Sequence, residues 1–193
     1  MPNGMTTEKL TGLACNIAET GQLLCSSCQG IFLDTADQAD IHEFCREFLP
    51  ILDEITREAA RKLGIGVKTQ VALQLYTEEL EALYYQSTVY KGENSSLIAY
   101  PDRELKPSIQ FGNIWVKALP RQALLAELRP YKNYLQTAGL LCGDNEEPEL
   151  TDLLWRGGVV RVCPGERMSG AYIGAPHDGE FPLRRYTRIV SCE

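Results

Sequence analysis

A long amphipathic stretch over residues 37–63 is the strongest constraint on how this chain folds. Asp34 and Asp37 supply polar side chains of the kind that mark a helix start, and Gly64 marks its end. Apolar residues recur three and four positions apart, at Ile41, Phe44, Cys45, Phe48, Leu52, Ile55, Ala59 and Leu63. This spacing puts them on one face of an α-helix. The stretch therefore predicts one long helix, which Pro50 is expected to kink or split.

Short apolar runs alternate with helical patterns along the rest of the chain. Helices are predicted over residues 7–24, 71–87, 120–128 and 150–156. Strands are predicted over residues 30–34, 84–90, 96–99, 114–119, 134–140, 159–163 and 185–191. Strands separated by helices of this length indicate an α/β domain with a largely parallel sheet flanked by helices. Because there is no internal repeat and no low-complexity linker, residues 1–193 are expected to form a single domain.

The composition excludes several classes of function. Apolar residues make up 44% and charged residues 23% of the chain, which is enough for a sizeable core. No run approaches the roughly 18 apolar residues of a membrane span, and no signal-peptide pattern opens the sequence, so a cytoplasmic protein is expected. The net charge of −7 argues against nucleic acid as a partner, because nucleic-acid binding needs a basic face.

Seven cysteines with no regular spacing argue against a secreted disulfide framework. Cys25 and Cys28 form a C-x-x-C pattern in a polar loop that leads directly into a predicted strand. The pattern has three interpretations: a redox pair, half of a zinc site, or a nucleophile beside an unreactive thiol. Zinc is disfavoured because there is no second C-x-x-C and the only histidines are His42 and His177. A thioredoxin-like pair follows a strand and opens a helix, whereas this motif precedes a strand, which is the wrong order for such a pair.

Three polar features elsewhere leave their roles open. His177 lies in a turn-rich polar loop, where it either orients substrate or caps a turn. His42 lies on the long predicted helix beside apolar residues, which favours a packed or surface role. Gln136 and Thr137 are polar inside an apolar strand, so they either satisfy a buried network or face a site.

The segment around the C-x-x-C pattern resembles a known family. Residues 22–29 (QLLCSSCQ) resemble the catalytic-cysteine segment of LuxC-type long-chain acyl-CoA reductases, which belong to the aldehyde dehydrogenase superfamily. Three later stretches resemble the same family in the same order. They are YLQTAG at 134–139, GVVRVCP at 158–164 leading to RMS at 167–169, and HDG at 177–179 with PLRRY at 182–186. Four matches in order make the resemblance specific.

The resemblance implies a catalytic domain of the aldehyde dehydrogenase fold with a reductase activity. Cys25 would attack the thioester of an acyl-CoA or acyl carrier, and NADPH would reduce the acyl-cysteine to a fatty aldehyde. Backbone N–H groups near Cys25, with a side-chain amide, would form the oxyanion hole. The candidates for substrate-binding or supporting roles are Gln22, Ser26, Ser27 and His177. No residue is assigned to the cofactor, and no metal is expected.

The sequence departs from the family pattern at three points. Cys28 stands where the family usually has proline, and a disulfide between neighbouring thiols would shut the site off. The family's nucleotide-binding domain precedes the cysteine segment and has no counterpart in this chain, so NADPH is expected to bind mainly to a missing half. The family's upstream general-base glutamate is not matched either, and Glu19 is not assigned to that role.

Two classes of function follow from this pattern. In the first, the chain is the catalytic portion of a reductase, and it forms a homo-oligomer or binds a nucleotide-binding partner domain through exposed apolar surface. In the second, it is a non-catalytic or regulatory subunit of a reductase, with redox-sensitive thiols. The first predicts acylation of Cys25 by a long-chain acyl-CoA, and the second predicts none.

Overall fold

The structure is a computed structural model that describes residues 6–170, 174–181, 184, 186–188, 190 and 191. The helices are α1 (Thr7–Thr20), α2 (Gln38–Lys62), α3 (Ile65–Tyr85), α4 (Arg121–Leu128) and α5 (Glu147–Gly157). The strands are β1 (Gly30–Leu33), β2 (Thr88–Lys91), β3 (Ser96–Tyr100), β4 (Asn113–Ala118), β5 (Thr137–Leu140) and β6 (Arg161–Pro164). Two short 3-10 turns cover Arg129–Tyr131 and Gly165–Arg167.

A four-stranded sheet in the order β1-β4-β3-β2 forms the centre of the fold. β4 runs parallel to both of its neighbours, β1 and β3. β2 is antiparallel to β3, because only a short turn joins these two consecutive strands. β5 and β6 form a second, parallel pair. The predicted α/β class with a largely parallel sheet is therefore confirmed.

Helices cover both faces of the four-stranded sheet. Alternate side chains of β3 point to opposite faces, as the pleat of a strand requires. Leu97 and Ala99 belong to the apolar cluster formed with α1 and α2, whereas Ile98 and Tyr100 pack with Leu75 of α3. Every residue of β3 and β4 is buried, which is typical of strands covered on both sides.

α2 is a single helix along its whole length, so of the two effects predicted for Pro50, a kink or a split, the split is wrong. Asp37 caps its N-terminus by accepting a main-chain N–H at 2.8 Å. Pro50 removes one main-chain hydrogen bond from the helix interior. The helix continues because Phe48 and Leu52, on either side of the proline, are fully buried in the cluster with α1 and the sheet. Packing therefore outweighs the lost hydrogen bond.

Two other predicted boundaries are wrong. α1 ends at Thr20 instead of continuing to residue 24, because Gly21 adopts a left-handed conformation (φ 55°) that closes the helix. Tyr84 and Tyr85 belong to α3, so the predicted helix over residues 71–87 includes them correctly and the predicted strand over residues 84–90 starts too early. β2 begins only at Thr88, where pairing with β3 becomes possible.

The predicted last strand over residues 185–191 is not present at its described positions. Tyr186 lies in a 3-10 turn, and Thr187 Oγ1 donates to the Arg184 carbonyl at 3.3 Å, a local hydrogen bond in place of strand pairing. Arg185 and Ile189 lie outside the described residues. No helix in the described part of the chain is long and apolar enough to cross a bilayer.

α4 and α5 cover the β5–β6 pair. Leucines of both helices form a second apolar cluster with Val159. The main-chain carbonyl of Gln136 accepts hydrogen bonds from Val160 N–H at 3.2 Å and Arg161 N–H at 2.9 Å. These bonds anchor Gln136 where β5 begins.

Candidate active site

Cys25 lies at the tip of a tight turn between α1 and β1. Gly21 ends α1 with a left-handed backbone, and Gln22 keeps that conformation (φ 63°), so the chain changes direction just before the cysteine. Two hydrogen bonds close the turn: Ser27 N–H donates to the Leu24 carbonyl at 2.9 Å, and Leu24 N–H donates to Ser27 Oγ at 3.1 Å. The thiol of Cys25 is exposed to solvent.

Gln22 holds this loop in place through four hydrogen bonds. Its side chain is buried, with 1% exposed. Nε2 donates to the Cys28 carbonyl at 2.9 Å and to Ser108 Oγ at 3.0 Å. Oε1 accepts the Gly112 N–H at 2.9 Å, and the main-chain carbonyl accepts Gln29 Nε2 at 3.0 Å. Because both amide atoms are engaged inside the protein, Gln22 positions the loop.

The two thiols of the C-x-x-C pattern have opposite surroundings. Cys25 is exposed, whereas Cys28 is buried and its Sγ donates to the Gly30 carbonyl at 3.5 Å. Burial raises the pKa of Cys28 to about 12, and a main-chain contact with Gly30 offsets this only in part. Ser27 is buried in the turn and Ser26 is half-buried. Cys28 therefore keeps its proton near neutral pH, and both cysteines are free thiols.

A histidine–aspartate pair faces the exposed thiol. Cys25 Sγ lies 3.8 Å from His177 Nε2. On the other side of the imidazole ring, His177 Nδ1 lies 3.0 Å from Asp178 Oδ2. Asp178 Oδ1 accepts a hydrogen bond from Gln136 Nε2 at 2.9 Å. The four side chains thus form one continuous series of contacts from the thiol to Gln136.

The turn that carries this pair is specified by its own sequence. His177 and Glu180 exchange two main-chain hydrogen bonds, at 2.8 and 3.1 Å. Between them, Asp178 and Gly179 have φ values of 52° and 80°. A type I′ turn needs positive φ at both central residues, and Asp-Gly is among the pairs that adopt it most readily. The HDG motif therefore fixes where both the imidazole and the carboxylate lie.

The arrangement suits nucleophilic acyl chemistry. A thiol becomes a strong nucleophile when a neighbouring base takes its proton, and an imidazole oriented by a carboxylate is such a base. Preorganised N–H donors stabilise the oxyanion that forms during acyl transfer. Among the described residues, the N–H groups of Cys25 and Ser26 have no protein acceptor, whereas the turn uses those of Leu24 and Ser27. Cys25 and Ser26 are therefore the candidate oxyanion donors.

A protein-family model for acyl-CoA reductase (LuxC) matches residues 2–189, which is nearly the whole chain. The chain belongs to the acyl-CoA reductase (LuxC) family. The resemblance inferred from four motifs is thereby confirmed. Comparison with the curated proteins gives no significant match.

Two solved structures of the aldehyde dehydrogenase superfamily share the fold. The Delta-pyrroline-5-carboxylate dehydrogenase from Mycobacterium tuberculosis is 13% identical, with a TM-score of 0.57 over 87% of this chain and 34% of its own. The bifunctional proline utilization A (PutA) protein is 14% identical, with a TM-score of 0.54 over 86% of this chain and 18% of its own. The chain thus spans about a third or less of these proteins, and the likeness confirms the predicted aldehyde-dehydrogenase-like fold.

The sequence of this LuxC-family chain pointed to His177, but it did not identify the residues that orient the imidazole ring. Gln136 stood out as a polar residue in an apolar strand, and its hydrogen bond to Asp178 puts it beside the site. Asp178 was part of the HDG stretch that resembles the family. Its position beside His177 in an Asp-Gly turn is the sequence signal that could have indicated the contact between its carboxylate and the imidazole. His42 contacts Tyr90 Oη instead, at 2.8 Å.

Three further cysteines of the LuxC-family chain are in less reactive surroundings. Burial raises the pKa of Cys45 to about 12 and also raises the pKa of Cys142 and Cys163. Cys15 is the other exposed cysteine of the described part of the chain. Glu19 is exposed on α1. No group of three His, Cys, Asp or Glu side chains within the described residues is placed to hold a metal ion.

Proposed function

We propose that this chain is the catalytic domain of a fatty acyl-CoA reductase in which Cys25 forms an acyl-thioester intermediate. The observation that carries the proposal is an exposed thiol, held on a turn by Gln22, with the imidazole of His177 at 3.8 Å. Membership of the acyl-CoA reductase family supports the thioester as the substrate class. The buried surroundings of Cys28 support Cys25 as the nucleophile of the pair.

The acyl-transfer step uses groups of this chain. The Cys25 thiolate attacks the thioester carbonyl, and the oxygen becomes an oxyanion near the N–H groups of Cys25 and Ser26. The carbon–sulfur bond to coenzyme A then breaks, and its thiolate leaves. Leu23 and Leu24, which are 62% and 49% exposed beside the thiol, supply apolar surface for the first part of an acyl chain.

Reduction of the acyl-enzyme requires a hydride donor. A bound NADPH would supply the hydride that takes the acyl group from the thioester to the aldehyde level, and Cys25 would hold the acyl group in place for that transfer. This chain has no G-x-G-x-x-G after a strand, so its residues do not fit the usual dinucleotide site. We therefore assign cofactor binding mainly to a nucleotide-binding half outside residues 1–193.

An exposed apolar face on α3 supports docking of a further domain or a second copy of the chain. Leu73, Tyr76, Leu80 and Leu83 recur at helical spacing, and each is more than half exposed. Contiguous apolar surface of this kind marks an interaction site. A nucleotide-binding half or a second protomer would cover it.

Intact-mass spectrometry of the chain mixed with a long-chain acyl-CoA tests the proposal. We expect a single acyl adduct on the wild-type protein and on Cys15→Ala, which removes the other exposed thiol, but not on Cys25→Ala. An adduct that persists in Cys25→Ala would overturn the assignment of the nucleophile. No adduct under reducing conditions, together with no release of free coenzyme A, would favour the non-catalytic or regulatory subunit.

A further inference from the structure

We propose that Cys25, His177 and Asp178 give this chain a second activity, the hydrolysis of acyl thioesters by water. The inference rests on the proposed function, because it begins from the acyl group on Cys25. It goes beyond that function because the acyl group leaves as a carboxylic acid, with no hydride and no change in oxidation state. The acyl thioesters that form the acyl-enzyme are the substrate class.

The contacts around His177 are those of a general base. Asp178 Oδ2, at 3.0 Å from Nδ1, accepts the Nδ1 proton and so leaves the lone pair of Nε2 facing the thiol. Gln136 Nε2 donates to the other carboxylate oxygen at 2.9 Å and keeps the carboxylate from rotating away. Nucleophile, base and orienting carboxylate are thus in the order that nucleophilic hydrolases use, on an unrelated fold.

The position of the pair is supported from two directions. The Asp-Gly turn fixes it locally, and Gln136 ties it to the start of β5. Gly179 also lies against Val160, the residue before β6: a Cβ added to the glycine would be 3.3 Å from Val160 Cγ1. The imidazole is therefore held over Cys25 by main-chain geometry as well as by side-chain contacts.

Water reaches the base in this chain. The side chains of His177 and Asp178 are 59% and 54% exposed. After the leaving thiol departs, the space beside Nε2 is open to solvent. A water molecule there would be within reach of both the base and the acyl carbon of the Cys25 thioester.

The cycle balances with water as the only co-reactant. His177 Nε2 takes the Cys25 proton, the carbon–sulfur bond to Cys25 forms, and the bond to the leaving thiolate breaks as that thiolate takes the proton. His177 then takes a proton from water, whose oxygen bonds to the acyl carbon. The bond from carbon to Cys25 Sγ breaks, the carboxylic acid leaves, and the cysteine thiolate recovers its proton from the imidazolium.

Turnover of a long-chain acyl-CoA without any nicotinamide cofactor tests the inference. Free coenzyme A and fatty acid are quantified over time, in water enriched in 18O. We expect several equivalents of acid per chain, each with one 18O atom in the carboxyl group. Cys25→Ala should abolish this turnover, and His177→Asn should slow it by about 100-fold, which is a common contribution of a general base. His42→Asn is the matched control, because the other histidine contacts Tyr90, and it should hydrolyse at the wild-type rate.

Two further readouts separate a chemical role from a structural one. The gap in hydrolysis rate between wild type and His177→Asn should narrow as the pH rises, because hydroxide from the solution then replaces the missing base. In Asp178→Asn, a positioning variant, the acyl adduct should still form but should persist longer than in the wild type.

The outcomes are distinguishable. An acyl adduct on wild-type Cys25 that is never released as acid would overturn the inference and leave the proposed function standing. Hydrolysis by His177→Asn at the wild-type rate would overturn the inference as well. No adduct on Cys25 in any variant would overturn both proposals.

Discussion

Gln22 shows how one buried side chain controls the position of the reactive thiol. Its amide satisfies the Cys28 carbonyl, Ser108 Oγ and the Gly112 N–H at the same time, so it joins the cysteine loop to the segment that precedes β4. The sequence placed Gln22 in a family motif, but it left open whether the side chain contacts substrate. The structure gives it a role within the protein.

Gln22→Met keeps the approximate size of the side chain but removes its hydrogen bonds. We expect a loss of about 3 kcal/mol in the free energy of unfolding, because a buried N–H of Gly112 and the Cys28 carbonyl are left unsatisfied. Acylation of Cys25 should also slow by about tenfold, since the turn is no longer held. Urea unfolding and a time course of the acyl adduct measure the two effects.

Gln86→Met is the matched control for this substitution. Gln86 has the same left-handed backbone (φ 57°) but is exposed after α3. We expect its effect on stability to stay within about 0.5 kcal/mol. An equal loss in both variants would show that the side-chain hydrogen bonds of Gln22 are not what holds the loop.

Lys117 marks the limit of prediction at the residue scale. The sequence placed it correctly in a strand, but nothing in the pattern indicated that its side chain is fully buried. Its Nζ forms an ion pair with the Asp102 carboxylate and donates a hydrogen bond to the Glu104 carbonyl at 2.6 Å. Both partners lie in a loop, and they compensate for the burial of the charged group. Such a contact between distant segments is set by the folded chain and is not visible in local spacing.

At the scale of elements, β1 depends on a close approach between Gly30 and the ring of Trp115. A Cβ added to Gly30 would lie 2.0 Å from Trp115 Cε2. The ring cannot easily move, because its Nε1 donates to the Lys106 carbonyl at 2.8 Å and Phe32 packs edge-on against it at 4.9 Å. The glycine lets the cysteine loop enter the sheet directly beside this ring.

Gly30→Ala should therefore destabilise the protein by about 3 kcal/mol, as overpacking does in a core that cannot shift. Gly66→Ala is the control: a Cβ there meets nothing within 4 Å, and alanine is the better helix former inside α3. We expect that variant to gain about 0.5 to 1 kcal/mol. Urea unfolding measures the stability of both variants. A Gly30→Ala protein as stable as the wild type would contradict the close contact between Gly30 and Trp115.

Helices could be predicted from the sequence where their apolar residues defined one clear face. α2 followed from its apolar spacing, and Asp37 proved to be its cap. α3 was harder, because its apolar residues are spread over both an inner face at Leu75 and an exposed face that includes Leu80. With apolar residues on both sides, the helical period is weak, so the last turn of α3 was assigned both to a helix and to the start of a strand.

At the scale of the whole molecule, Asp53 joins the helical layer to the sheet. Its Oδ1 accepts hydrogen bonds from Asn94 N–H at 2.7 Å and Ser95 N–H at 2.9 Å in the turn between β2 and β3. Partial burial acts to raise the pKa of Asp53, but these hydrogen bonds outweigh it and hold the pKa below its usual value. A carboxyl with a lowered pKa stabilises the fold only while it is ionised.

Acid unfolding should therefore depend on this residue. The contribution of Asp53 is fully present above the usual aspartate pKa of about 3.9 and is lost as the pH falls through its lower folded value. Asp53→Asn should cost about 2 kcal/mol at neutral pH, and the difference from wild type should shrink below about pH 4. Glu54→Gln, at the exposed neighbouring position, should change stability by less than about 0.5 kcal/mol at any pH. A constant difference for Asp53→Asn down to pH 2 would contradict this linkage.

The site as a whole could be predicted only in part. Cys25 and His177 were identified from motifs, but their contact joins residues 152 positions apart. Gln136 and Asp178 complete the arrangement from a strand and a turn that are also distant in sequence. Their assembly depends on the fold, which local patterns could assign to a class but not to a topology.

The most direct test of the central claim is to locate the acyl group after reaction with a long-chain acyl-CoA. Tryptic cleavage after Lys9 and Arg46 leaves Cys15, Cys25, Cys28 and Cys45 in one peptide, so fragment ions must distinguish them at mildly acidic pH. We predict that the acyl group is on Cys25. An acyl group on Cys15, which is also exposed but is not the thiol that faces His177, would contradict the account.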